Sequence, residues 1–207
     1  MADINFIDLS NMDSADLVEG VVIHPLKRAR RGDSDPRGYL VEMSRADWTD
    51  ERYDTHPPAM TYSSFTYTGI TRDEDMWHVH PAAGVEGGIE QIDRWSFIGK
   101  AIAVVADPQT KNLNLFKIGT GWGEAGFYNL MIPPRMYHGF LSVGGVVDDE
   151  GKDGVWILNW PDKLYNYENP QLVEGRVPFA GSQVKLPSGN EFNWSEVREV
   201  LGLNIND

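Results

Sequence analysis

The chain has 207 residues, 41% hydrophobic, 11% aromatic and 24% charged, proportions that suit one globular unit with a sizeable core and exclude disordered or fibrous classes. No run approaches the roughly eighteen consecutive apolar residues of a membrane span, and Met1-Ala2-Asp3-Ile4-Asn5 lacks the basic start of a secretory leader. A formal charge of -13 repels polyanions and argues against nucleic acid as a partner, while the absence of cysteine rules out a disulfide framework and makes the cytoplasm the expected location.

Residues 1–20 are polar and acidic, with a helical turn predicted over 14–18, and read as an N-terminal arm. A β-rich region then spans 21–176. Its strand runs lie at 20–23, 38–43, 60–67, 95–98, 100–108, 113–118, 127–132 and 154–160, rich in β-branched and aromatic residues and punctuated by turn formers. Many short strands without a long 3.6-residue period predict an all-β sandwich or barrel. A C-terminal extension, 177–207, carries one helix signal from Trp194 to Leu201, with Asn193 or Ser195 as cap, Glu196 in the first turn and Gly202 at the stop. That helix reads as a terminal appendage. Lys27, Arg28, Arg30, Arg31 and Arg37 form a basic cluster, which is either a local phosphate site or a solvated loop. The loops 81–90 and 144–154 border a pocket mouth or bulge into solvent.

His78 and His80 stand as H-x-H behind Trp77 on an expected strand. Residues two apart on a strand point to the same face, so both imidazoles can converge on one point. Asp93 belongs to the following strand, and His138 comes later in Ile132-Pro133-Pro134-Arg135-Met136-Tyr137-His138-Gly139. Either these are ordinary interior histidines or they line one pocket, and a barrel would bring all four residues together. Trp77, Trp95, Tyr137, Tyr62 and Trp160 either pack the barrel or stack on a base or sugar ring.

The order H-x-H, acid, then I-P-P-x-x-x-H-G resembles the two-motif signature of cupins, which implies a double-stranded β-helix, or jelly roll, with the histidines and the acid inside. More narrowly, the chain from about Val21 to Arg176 is similar to the dTDP-4-dehydrorhamnose 3,5-epimerase family of nucleotide-sugar epimerases. The resemblance rests on Asp35-Pro36-Arg37-Gly38-Tyr39-Leu40-Val41-Glu42, Thr61 to Ser64, Gly69-Ile70-Thr71-Arg72, Trp77-His78, Gln91 to Gly99, Pro133 to Phe140 and Tyr165-Asn166-Tyr167-Glu168-Asn169-Pro170. It implies an isomerase, a homodimer with a swapped strand, that needs no cofactor. His78 would be the base that removes a proton beside the C4 ketone of a 4-keto-6-deoxy sugar, a role suited to a group of unperturbed pKa near 6.5. His138 and Asp93 join it as catalytic candidates. Arg37 and Glu42 would bind the nucleotide, Arg72 the phosphates, and Gln91, Tyr137, Asn159 and Tyr165 the remainder of the substrate.

Three positions depart from the family pattern. Asp93 stands where the family has an oxyanion-stabilising lysine, Asn159 where it has a tyrosine acid, and Ala180 or Gly181 where an aspartate supports the histidine; Asp162 or Tyr165 could substitute in space. Two further readings follow. His78, His80, Asp93 and His138 make a plausible shell for Zn, Mn, Ni or Fe, which would suit a metal-dependent dioxygenase or lyase. Loss of the three catalytic roles would alternatively leave a non-catalytic sugar-binding cupin.

Overall fold

The computed structural model describes residues 3–29, 39–44, 55–81 and 84–203. Its strands are β1 (Val22–Pro25), β2 (Lys27–Ala29), β3 (Leu40–Glu42), β4 (Tyr62–Tyr67), β5 (Met76–Val79), β6 (Asp93–Ile98), β7 (Lys100–Ala106), β8 (Leu113–Ile118), β9 (Tyr128–Ile132), β10 (Tyr137–Gly144), β11 (Val146–Val147), β12 (Asp153–Asn159) and β13 (Gly175–Pro178), followed by helix α1 (Trp194–Leu201). One sheet runs β1-β9-β6-β12-β11, with β4 also paired to β12; the other runs β13-β5-β10-β7-β8; β2 and β3 form a separate pair. The predicted all-β architecture of the cupin type is what the chain adopts. Among the described residues no helix is long and apolar enough to cross a membrane.

The apolar run of β7 shows how the layers are built. Ala101, Ala103 and Val105 face the core between the two sheets, together with Trp95, Phe97, Leu130, Phe140 and Ile157. Ile102, Val104 and Ala106 point the other way, into a second cluster with Trp77, Leu141, Phe179, Phe192, Trp194 and Val197. A strand buried on both faces reads as a continuous apolar run rather than an alternating one. The C-terminal segment is what covers that outer face, so α1 is more than the appendage its position suggests. Asn193 caps it, its side chain accepting from Glu196 N at 2.8 Å, and Gly202 ends it in the left-handed region at φ 68. Buried Arg198 then ties the helix to the barrel by donating to Gly69 O at 2.8 Å and to both carboxylate oxygens of Glu74.

Every predicted strand run contains or overlaps an observed strand, and the expected H-x-H strand is β5. β2, β10, β11 and β13 were not anticipated from local pattern, β11 lying inside the stretch 144–154 expected as a loop. In β10 two glycines, a histidine and a serine dilute the β signal, and in β13 only one of four residues is β-branched. The expected turn over 14–18 is instead a 3-10 turn at Met12–Ser14. The arm is not merely polar: Ile4, Ile7 and Val18 are buried, and Ile7 bridges Phe116 in parallel alongside β8. Gly99, between β6 and β7, has φ 105, and a Cβ there would sit 2.9 Å from the carbonyl oxygen of Gly144. The turn that sets the β6–β7 crossing therefore admits no side chain without displacement.

Candidate active site

Strand pairing assembles the site. His78 on β5 lies directly opposite His138 on β10 and, on its other side, opposite Arg176 on β13. Trp77 and His78 alternate, so the tryptophan packs into the outer cluster while the imidazole faces inward. His80 follows two residues later. The three rings sit 4.6 to 5.3 Å apart, centroid to centroid. Asp93, the first residue of β6, meets them from the facing sheet, with Oδ2 3.2 Å from His80 Nε2 and 3.4 Å from His138 Nε2. Its other oxygen accepts from Gln91 Nε2 at 2.8 Å and from Asn159 Nδ2 at 2.9 Å. The convergence expected from the spacing is present.

Asp93, only 2% exposed, would be costly to bury as an isolated charge. Burial pushes its pKa up, but the charge and hydrogen bonds of His80 and His138 outweigh this and hold it well below the usual carboxylate range. Burial likewise opposes a charged His80. Asp93 and the Val173 carbonyl, 2.7 Å from His80 Nδ1, overcome that and raise its pKa. His138 Nδ1 is 2.9 Å from the Met136 carbonyl. In both rings the Nδ1 proton is thus directed at backbone oxygen, which turns Nε2 toward Asp93.

His78 has a different setting. Its side chain is 21% exposed, and it borders a cavity of about 310 Å³ with Tyr62, Arg72, Asp73, Asp93 and Arg176. Nε2 is buried and 3.3 Å from Glu174 Oε2; Nδ1 is 3.8 Å from Asp73 Oδ2. Burial pushes the His78 pKa down to about 4, the Glu174 contact opposing this and the neighbouring His138, His80 and Arg176 adding to it. A carboxylate beside Nε2 favours the tautomer with its proton there and leaves Nδ1 as a lone pair.

The sequence-predicted residues separate into groups. His78, His80, Asp93 and His138 come together, and Gln91 and Asn159 join them through Asp93. Arg72 borders the cavity, donating to Thr66 Oγ1 and the Phe65 carbonyl. Tyr165 reaches the site only indirectly, its hydroxyl 3.5 Å from Glu174 Oε1. Tyr137 is not brought to the cavity: as a strand neighbour of His138 it faces the other way and stacks on Trp77 at 5.7 Å. Glu42, opposite Lys27 in the small β2–β3 pair, does not line it either. Arg37, like Arg30 and Arg31, lies outside the described residues; Arg28 packs on Tyr39 and Phe127 and is 3.3 Å from Glu124. Asp162 does not support His78 but accepts from Ile92 N, and Ala180 and Gly181 lie exposed on a turn. The carboxylates beside His78 are Glu174 and Asp73, and neither stood out in the sequence. Glu174 arrives through the β13–β5 pairing, which no local pattern announces.

The "Probable low-salt glycan biosynthesis epimerase Agl13" of Haloferax volcanii is 35% identical over 152 residues, which cover 70% of this chain and 81% of that protein. The chain belongs to this sugar-epimerase family. Two solved structures share its fold. A dTDP sugar isomerase from Desulfovibrio desulfuricans G20 has a TM-score of 0.58 at 17% identity, covering 86% of this chain and 92% of its own. NovW, a 4-keto-6-deoxy sugar epimerase from Streptomyces spheroides, has 0.57 at 15%, with 91% and 90% covered. No protein-family model matches the chain. The protein is therefore an isomerase-type enzyme of this epimerase family, on a cupin scaffold.

Proposed function

We propose that this epimerase-family cupin acts on a 4-keto-6-deoxy sugar linked to a nucleoside diphosphate, removing a proton from the carbon beside the ketone with His78 as base. The observation that carries the reading is the setting of His78: an imidazole at the cavity, neutral at pH 7, with a carboxylate behind Nε2 and a free lone pair on Nδ1. The ketone makes the neighbouring C–H acidic enough for a base of this kind, and the Glu174 carboxylate stabilises the imidazolium that forms. Arg72, and Arg176 beside it in the cavity wall, supply cations for a diphosphate. The substrate class follows the relatives of the same fold, which are named for dTDP and 4-keto-6-deoxy sugars. We place the enzyme in the cytoplasm as a homodimer, the exposed Tyr39 and Leu40 beside the β2–β3 pair being suited to a subunit contact. In deuterated water, dTDP-4-keto-6-deoxyglucose incubated with the protein should gain deuterium beside the ketone, read by mass spectrometry. No label from dTDP-, UDP- or GDP-linked 4-keto-6-deoxy sugars would refute the reading.

One observation favours adding a divalent ion. Two Nε2 lone pairs and a carboxylate oxygen converge 3.2 and 3.4 Å apart, close to the edge of about 3.3 Å around a tetrahedral ion with bonds of about 2.0–2.1 Å. His80, His138 and Asp93 would hold such an ion, their Nδ1 atoms already anchored by carbonyls in the manner of metal ligands. When bound it would supply Lewis-acid polarisation of the ketone. Elemental analysis of protein purified without chelator should find near-stoichiometric Zn, Mn, Ni or Fe that His80→Ala removes. A metal-free native protein would leave a proton on His80 as the cation that Asp93 requires.

A further inference from the structure

Inverting a carbon beside a ketone needs a proton returned to the face opposite the one it left; a single base restores the starting configuration. His78 stands on the β5 sheet, so the second proton must come from the wall formed by β4, β6 and β12. Of the groups lining that wall, Asp93 has both oxygens engaged, Oδ2 facing His80 and His138 and Oδ1 accepting from Gln91 and Asn159. Ser64 and Trp95 carry protons far too weakly acidic to protonate an enolate carbon readily. Tyr62, on β4, carries a phenol.

The orientation of that phenol is set by a side-chain amide whose own orientation is determined. Asn159 Oδ1 accepts from the backbone N–H of Arg94 at 3.0 Å, so the opposite end must be the NH2 group. That group donates to Asp93 Oδ1 and to Tyr62 Oη, each at 2.9 Å. Asn159 and Tyr62 are direct partners in the β12–β4 register, which places both side chains on one face within reach. Because the Tyr62 oxygen accepts this bond, its own proton is left without an acceptor among the described residues, on a side chain that borders the cavity. A phenol, with an ordinary pKa of about 10, carries its proton at neutral pH and enters the reaction as an acid.

We propose that Tyr62 is the proton donor on the sugar face opposite His78, with Asn159 as its positioning residue. This rests on the function proposed above. His78 Nδ1 takes the proton, the C–H electron pair becomes the C=C bond, and the carbonyl π pair moves to oxygen as an enolate. On collapse the oxygen pair re-forms the C=O bond, and the C=C pair takes the Tyr62 proton from the other face. The phenolate, hydrogen-bonded by Asn159, and the imidazolium then exchange protons with water, restoring both groups.

The test is Tyr62→Phe against wild type, in deuterated water, with dTDP-, UDP- and GDP-linked 4-keto-6-deoxy sugars; NMR reads epimerisation and mass spectrometry reads exchange. Tyr62→Phe should keep exchange, with retention of configuration, while net epimerisation falls roughly 10²-fold or more. Asn159→Ala should lower the ratio of epimerisation to exchange in the same direction, and the double variant should be no worse than Tyr62→Phe. An unchanged ratio in Tyr62→Phe overturns the proposal. So does a folded, dTDP-binding Tyr62→Phe that neither exchanges nor epimerises, or a wild type that exchanges without inverting. Only an absence of exchange by wild type with all three sugars overturns the proposed function as well.

Discussion

Two halves of one histidine set behave in opposite ways. His80 and His138 are sealed against Asp93, where a buried anion raises the His80 pKa. His78, a few ångströms away, borders the cavity, and its pKa is pushed down to about 4. Asp93 thus draws His80 toward the cation, while burial holds His78 toward the neutral form against the opposing Glu174 contact. When environments push neighbouring pKa values apart, roles separate with them.

Removing the base tests the division most severely. His78→Ala should reduce deuterium exchange by roughly 10²–10⁴-fold while nucleotide binding persists. Exchange at the native rate would move the base elsewhere. Asp93→Asn attacks the other half, leaving the buried pair without its anion; the expected cost is about 3–5 kcal/mol of stability, read from urea unfolding. The smallest effect expected is that of Glu174→Gln. It should lower kcat by about tenfold, or about 1.4 kcal/mol at the barrier, and move the His78 pKa lower still, because the glutamate contact raises it.

The pH dependence follows the same split. Activity that needs neutral His78 should hold on acidification until the pH nears about 4. The depressed His78 pKa contributes no penalty above 6.5 and destabilises the fold as pH falls from there toward about 4. The raised His80 pKa stabilises fully below 6.5, and its contribution is lost as pH rises through the folded value. Unfolding free energies measured across this range should show both flanks in native protein. Only the acidic flank should remain in Asp93→Asn.

Local pattern was sufficient for most strands, for α1 with Asn193 as one of its two candidate caps, and for the same-face placement of His78 and His80, because period and capping are short-range properties. It also marked His138 and Asp93 as companions. The partners that define their roles were not legible. Asn159 and Tyr62, 97 residues apart, meet through strand register, and His78 and Glu174 meet where β13 closes against β5. Tyr137 went astray for the converse reason, since proximity in sequence to His138 means the opposite face on a strand. The chain by itself determined an all-β scaffold carrying inward histidines. Which of them is held neutral at the cavity, which carboxylate stands beside it and which phenol lines the facing wall were decided by long-range pairing and burial, because pKa and proton direction depend on neighbours that only the closed barrel supplies.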